Sequence, residues 1–472
     1  MRLGIIDIGY NAIRAVVYEN NTIGAPEIFN NKFKNDILTL LTQESLDVKH
    51  QAYLSIKYIL HVFEKLGVNK IKCVATAVLR EHPKAESFIE FIKQKFNFTI
   101  EIIPGEREAY LTALGLISGI SEVNGIAADL GGGSLELIEI NNRVIGRLTS
   151  LALGTKIITE RKLQNLDELV SIIKNDYGDY QYENLYFIGG ALRFISRFFI
   201  EFNKYPLKNL HNLTIPSEEL SAYLSTVQEH QQNKVKSHNR TLNPNAILVA
   251  QAMIKVFKPQ NIVVSIFGRK EGVRYERLPE TEKNQDIVLQ KTLYCAKYNP
   301  EETNFDSYYQ VIKPLLEDNK DLYKTLEIAI IMQSLMKYFD HTLPTKAMSE
   351  YVLNSEIPFT HTQRVMIALI ISYSSNFKPD MDLIRTSKKF LNKSDFNNSQ
   401  IIGHFIKIAK DVDGSKFTEP TFAISITNHY LEIVSKDILP RPIFEKICER
   451  LKAIAYVRKM NFNDSIPSFK SD

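Results

Sequence analysis

The sequence predicts an α/β protein of two similar lobes followed by a helical C-terminal domain, and three features carry that expectation. Residues 3–23, LGIIDIGYNAIRAVVYENNTI, are repeated in phase by residues 125–145, GIAADLGGGSLELIEINNRVI. Strand-like and helix-like stretches alternate after the first copy. From about Glu280 glycine nearly vanishes, and helical-period runs such as 322–339 and 365–373 follow one another. A chain of 472 residues exceeds what one hydrophobic core organises, and the expected division is 1–120, 121–280 and 281–472.

Both copies of the repeat share one grammar. Each has a short apolar run (4–6; 126–128), an Asp-x-Gly, small or polar residues, a second apolar run (13–18; 135–140) and an Asn-containing turn. That order predicts strand, tight loop, strand and turn. Asp7 falls on Asp129 and Gly9 on Gly131. Glycine at position 9, and at Gly131, Gly132 and Gly133, lets backbone N–H groups converge on an anion without Cβ interference, a nest suited to phosphate oxygens. Asn11 in the first loop and Ser134 in the second add polar groups. The aspartate ending each first strand can hold a hydrated Mg²⁺ facing that phosphate. Ordinary hairpins whose glycines serve only the turns would explain either copy alone. Two copies in the same phase favour duplicated lobes with a ligand between them. The pattern resembles the acetate and sugar kinase, Hsp70 and actin superfamily, in which two such loops hold the phosphate groups of a ligand in an interlobe cleft. The resemblance implies two actin-like, ribonuclease H-like lobes.

Between the copies the period changes. Residues 52–66, AYLSIKYILHVFEKL, place apolar residues at three- and four-residue spacing and predict a helix ended by Gly67. Residues 71–83 predict a strand, 85–96 a helix, and 98–117 a strand that turns into a helix at Pro104-Gly105. Two strands thereby deliver polar residues to helix starts: Thr76 and Arg80 at one, Glu106, Arg107 and Glu108 at the other. Open α/β sheets place ligand chemistry at such ends. Arginine offers a planar fork that binds two phosphate oxygens together. A carboxylate at a strand-to-helix elbow can orient and deprotonate an attacking water.

Six ordered segments now stand out: DIGYNAIR (7–14), ATAVLR (75–80), IPGEREA (103–109), ADLGGGSLEL (128–137), FIGGALR (187–193) and SIFGRKEGV (265–273). Over about residues 2–280 they resemble the exopolyphosphatase/guanosine pentaphosphate phosphohydrolase family. The resemblance implies that Glu108 is the catalytic base for water, that Asp129 shares in catalysis, and that Asp7, Asp129 and Glu136 handle a divalent metal, Mg²⁺. It further implies that Arg80 contacts phosphate, that Gly189 and Gly190 line the cleft, and that Glu271-Gly272 opens a closing helix. Each residue also has a plainer role open to it. Glu108 can simply favour a helix N-terminus, Arg80 can be a surface charge, and Glu136 can be the outward residue of an alternating strand. Glu106 is a rival base, and Arg240, in the basic stretch 234–240, can reach a polyanion or be solvated.

The chain departs from the family in its first loop, where Asp-x-Gly-Ser-Asn-Ser is usual and Tyr10 and Ala12 stand for the serines. The tyrosine puts a large ring where a small residue lets backbone approach an anion. It can weaken phosphate binding, narrow the entrance, or swing outward. Longer family members carry a C-terminal domain resembling the HD phosphohydrolases, and residues 281–472 look like that type. Yet the metal set of such domains is missing: Asp340-His341 is in reversed order, and His361 and His404 lack companions. No metal is expected there. The lysines of 388–393 read as a solvated face, and the tail after Asn461 as frayed.

Composition narrows the rest. With 58 Lys+Arg against 54 Asp+Glu, the net charge of +4 is far from the basic stripe of a nucleic-acid binder. Three scattered cysteines fit a reducing cytoplasm. No run of membrane-spanning length and no signal peptide are read, so neither nucleic acid nor membrane is an expected partner. The expected activity is Mg²⁺-dependent hydrolysis of terminal phosphoanhydride bonds of inorganic polyphosphate, releasing orthophosphate. The alternatives are a guanosine pentaphosphate phosphohydrolase, a kinase or ATPase of the same superfamily, and a non-catalytic polyphosphate or alarmone binder. The resemblance also implies a homodimer.

Overall fold

A computed structural model describes residues 1–10, 12–34, 37–42, 47–229, 236–237, 240–317, 321–335, 345–375, 378–414, 416–427, 430–435 and 439–462. Asn11, Asp340, His341 and the tail beyond 462 lie outside the described residues, as does the side chain of Arg240. The chain divides into two compact units, Met1–Ile287 and Val288–Asp472.

In the first unit the repeat becomes a duplicated topology. Strands β1 (Leu3–Ile8), β2 (Ala12–Tyr18) and β3 (Glu27–Lys34) form an antiparallel meander. Parallel strands β4 (Lys70–Ala75) and β5 (Glu101–Ile102) extend the other side of β1, giving the order β3-β2-β1-β4-β5. The second sheet repeats the plan with β6 (Gly125–Leu130), β7 (Leu135–Asn141) and β8 (Val144–Leu151) as the meander and β9 (Asn184–Ile188) parallel to β6. It ends with β10 (Leu213–Pro216), set antiparallel to β13 (Asn261–Val264), so its order is β10-β13-β9-β6-β7-β8. A two-stranded ribbon, β11 and β12 (Lys236–Ser237, Arg240–Thr241), stands apart. Parallel neighbours need crossovers, and helices supply them. Gln51–Lys65, for example, is capped by the His50 ring, which accepts from the Ala52 N–H at 3.1 Å. The central strands β1 and β6 are buried on both faces, whereas the edge strand β3 is largely exposed.

Two helices position the chemistry. Gly105–Gly119 starts directly after Pro104 and buries nearly all of its length from Glu108 onward. Against it lies Arg269–Glu276, which follows β13. Their approach is so close that a Cβ on Gly272 would sit 1.7 Å from the Leu111 carbonyl oxygen, and one on Gly115 would sit 1.9 Å from that of Gly268. Only glycine fits at these crossings. Leu111 and Val273 from the two helices share one core with Leu3, Ile5, Val16, Tyr18 and Val74 of the first sheet.

The second unit is helical, with long elements such as Leu322–Ser334, His361–Tyr373, Lys393–Asp413 and Arg441–Arg458. One addition goes beyond the expected helices: β14 (Phe422–Thr427), β15 (Tyr430–Ser435) and β16 (Asn461–Phe462) make a three-stranded sheet. Alternating apolar residues, Phe422, Ile424, Leu431 and Ile433, bury its inner face. Arg364 is fully buried, and its Nη atoms donate to the carbonyls of Val352, Ser355 and Ile357 at 2.7, 2.9 and 2.8 Å; burial lowers its pKa to about 10. His361 packs edge-on against Phe390. His404 meets Arg450 Nη1 at 3.1 Å, and burial, with Arg450, lowers its pKa to about 4. Among the described residues no helix is long and apolar enough to cross a membrane.

Candidate active site

The two Asp-x-Gly loops close in the same way. Gly9 N–H donates to the Ala12 carbonyl at 3.0 Å, and Gly131 N–H to that of Ser134 at 2.9 Å. Behind the second loop, at the start of the helix Thr155–Glu160, three successive amides donate to its three carbonyls. Gly154 N–H reaches Gly133 at 3.3 Å, Thr155 N–H reaches Gly131 at 3.0 Å, and Lys156 N–H reaches Gly132 at 2.9 Å. In a trans peptide the C=O and the following N–H point opposite ways. With all three carbonyls directed backward, the amides of Gly132, Gly133 and Ser134 turn to the other side, as an anion nest requires.

The strand ends and helix starts bring four acids and two arginines together. Glu108, in the first turn of Gly105–Gly119, is 4% exposed. Arg80 Nη1 donates to its Oε2 at 3.3 Å and to the Ile103 carbonyl at 2.9 Å, and Arg269 Nη1 donates to its Oε1. Arg269 also forks onto Asp7, Nε to Oδ1 at 3.1 Å and Nη2 to Oδ2 at 3.0 Å. Asp129 accepts from Thr112 Oγ1 at 3.3 Å. Glu136 pairs with Asp129 across the hairpin, is 1% exposed, and accepts from Ser150 Oγ at 3.1 Å. Burial is the main cause that raises the Glu108 pKa; Arg269 and Arg80 oppose it, and Asp129 and Asp7 add to it. Glu136 is pushed much further up, by burial and then by Glu108 and Asp129. Burial works against the charge of Arg269, but Asp7, Glu108 and Asp129 outweigh it and hold the guanidinium charged.

Beside this cluster a polar cavity of about 450 Å³ is lined by Arg80, Gly105, Ser134, Thr149 and Ser150, with Glu81 and Glu106 on its wall. Its lining contains no aromatic ring. Glu106 is exposed, unlike Glu108. Gly189 adopts a φ of +80° and lies so near Asp129 that a Cβ would fall 2.3 Å from Oδ1, whereas Gly190 faces open space. Tyr10 leans from the first loop toward the second: its Cδ2 would stand 3.4 Å from a Cβ on Gly133, and Lys156 Nζ lies 4.2 Å from its ring centroid.

Arg269, Thr112, Ser150 and Lys156 escaped the sequence reading. Arg269 lies inside the segment SIFGRKEGV, but nothing local ties it to Asp7, 262 positions away. Two of the three acids expected to hold Mg²⁺ have other surroundings in this structure. Asp7 is taken by Arg269, Glu136 is buried with its carboxyl favouring the neutral form, and among the described residues no three Asp, Glu, His or Cys side chains gather as ligands.

The model of the Ppx/GppA phosphatase family matches residues 15–281. The chain belongs to that family. Crystal structures of Ppx/GppA proteins share the fold. That of the Aquifex aeolicus Ppx/GppA enzyme has a TM-score of 0.51 at 18% identity, covering 59% of this chain and 99% of its own. That of an exopolyphosphatase from Cytophaga hutchinsonii has a TM-score of 0.51 at 18% identity, covering 61% and 99%. Among curated relatives, a bifunctional 3-dehydroquinate synthase/phosphatase of Fusobacterium nucleatum is 23% identical over 55% of this chain and 44% of its own length. A guanosine-5'-triphosphate,3'-diphosphate pyrophosphatase of Pseudoalteromonas atlantica is 34% identical over 20% and 19%, and exopolyphosphatase 1 of Mycobacterium leprae 25% over 29% and 42%. The chain thus spans less than half the length of each of these relatives.

Proposed function

We propose that this Ppx/GppA protein hydrolyses the terminal phosphoanhydride bond of inorganic polyphosphate and releases orthophosphate, with Glu108 as the general base. The carrying observation is the buried Glu108 carboxylate, held by one arginine on each oxygen beside the Asp129 loop. Burial raises the pKa of this base, and a base so raised takes a proton from water more readily than an exposed one. Its arginines fix its orientation while leaving further lone pairs for the water. Glu108 accepts a proton as the water oxygen bonds to the terminal phosphorus. The bond to the bridging oxygen breaks, orthophosphate leaves, and the shortened chain carries away the negative charge. The amides of Gly132, Gly133 and Ser134, together with Arg80, stabilise the charge on the transferred group. No step is assigned to a metal.

Polyphosphate is favoured over guanosine pentaphosphate because the adjoining cavity offers an arginine, hydroxyls and no ring on which a base could stack. Phosphate release from long-chain polyphosphate, guanosine pentaphosphate and ATP, with and without Mg²⁺, tests both points. Polyphosphate is expected to be the preferred substrate, and Glu108→Gln to lower turnover by roughly 10²- to 10⁴-fold. Full turnover by Glu108→Gln would remove the base, and binding of polyphosphate without turnover by the wild type would leave a binding protein.

A further inference from the structure

We propose that Arg269 is the resident counter-cation of this cleft, and that its fork on Asp7 stands where a divalent cation would need to bind that carboxylate. Both Asp7 oxygens accept from the guanidinium at 3.0–3.1 Å, and a third donor goes to Glu108. A cation bound to Asp7 would need one of those oxygens at about 2.0–2.1 Å. It would then lie next to a guanidinium that is itself charged and largely shielded from water, so the two positive groups exclude each other.

The arginine is not a wandering side chain. It begins the helix Arg269–Glu276, whose glycine crossings with Gly105–Gly119 lock it against the helix bearing Glu108. On the same helix Glu271 accepts the Gly268 N–H at 2.8 Å, and Lys270 bonds Glu271 at 2.5 Å and also pairs with Glu27. The helix start is therefore fastened on several sides, and Arg269 projects from it to Asp7 and Glu108. Arg269 acts as a positioning residue, since it holds Asp7 and Glu108 by charge. The inference shares its site with the hydrolase reading but needs no substrate, so either can fail alone.

Mn²⁺, an EPR-visible substitute for Mg²⁺, would be titrated onto the full chain without any phosphate compound. Wild type, Arg269→Gln, Asp7→Asn and the double variant would be compared. Arg269→Gln is expected to bind Mn²⁺ about tenfold or more tightly than wild type, a gain that Asp7→Asn removes. Asp7→Asn in the wild-type background is expected to change nothing. Equal affinity of wild type and Arg269→Gln overturns the proposal, as does a tenfold loss on Asp7→Asn alone. Removing the arginine strips the buried Glu108 and the partly buried Asp7 carboxylates of a partner, so folding would be checked by near-UV circular dichroism. Should the Gln variant not fold, Arg269→Lys keeps the charge without the fork. A gain of about threefold is then expected, and none overturns the idea.

Discussion

In both Asp-x-Gly hairpins the loop closes through the same backbone bond, Gly9 to Ala12 and Gly131 to Ser134, and both first strands pair with a hairpin partner and a parallel neighbour. The side chains around them diverge. Across the ladder Asp7 faces Arg14, while the equivalent position opposite Asp129 is Glu136. Asp7 is forked by Arg269, whereas among the described residues Asp129 accepts from the Thr112 hydroxyl. The second loop is braced from behind by three amides, and the first extends Tyr10 toward it. Duplication has kept the backbone while charge has been redistributed: the first copy is neutralised by cations, and the second is left acidic beside an amide nest.

The largest effect is expected where backbone packs on Asp129. Gly189 has a φ of +80°, and a Cβ there would also come 3.1 Å from the Leu130 N. Gly189→Ala is expected to lower phosphate release by about 100-fold or more and to cost roughly 1–3 kcal/mol of stability. Gly9→Ala is the matching probe, because its Cβ would meet only the Ala12 carbonyl at 3.6 Å and Arg269 Nη2 at 3.9 Å. It is expected to cost less than about tenfold. Equal losses at the two positions would dissolve the comparison.

What the sequence revealed and concealed follows the same line. The hairpins, Asp7, Asp129 and the helix start at Glu108 were legible because glycines and an in-phase repeat mark them locally. Arg269 was not, because its partners lie on other elements and its reach depends on Gly115 and Gly272 letting two helices nearly touch. Ser150 and Thr112 are hidden for the same reason: a hydroxyl in a strand or helix has no pattern until its acceptor is in place. The strands β14 and β15 did carry a signal, two six-residue β-branched and aromatic runs around Asn428-His429, masked by the helical runs before and after them.

A middle-sized effect should distinguish the acids. Glu136 has its carboxyl pushed well above its ordinary value of 4.5, chiefly by burial. A carboxyl whose folded pKa exceeds its unfolded one binds protons more tightly when folded. Its contribution is therefore fully present below about 4.5 and lost as pH rises through the folded value. Glu136→Gln keeps shape and neutrality, so it is expected to stabilise the protein near neutral pH by about 1 kcal/mol or more, with no gain at pH 4. Denaturant unfolding at the two pH values checks this, and a variant less stable at neutral pH would show that the ionised form is held favourably.

Tyr10 should give the smallest change, and the reason lies in where its ring rests. The ring leans on Gly133, and its centroid sits 4.2 Å from Lys156 Nζ. An exposed cation–π contact contributes about 0.5–1 kcal/mol, so Tyr10→Ser is expected to lower Tm only slightly. The serine restores a small residue to the loop and frees Lys156, so turnover of polyphosphate is expected to stay within about threefold of wild type or to rise. A tenfold loss in kcat/KM would mean that the ring holds the two loops at their working separation. The first copy would then contribute to the site through packing across the cleft, a role that its neutralised aspartate does not suggest.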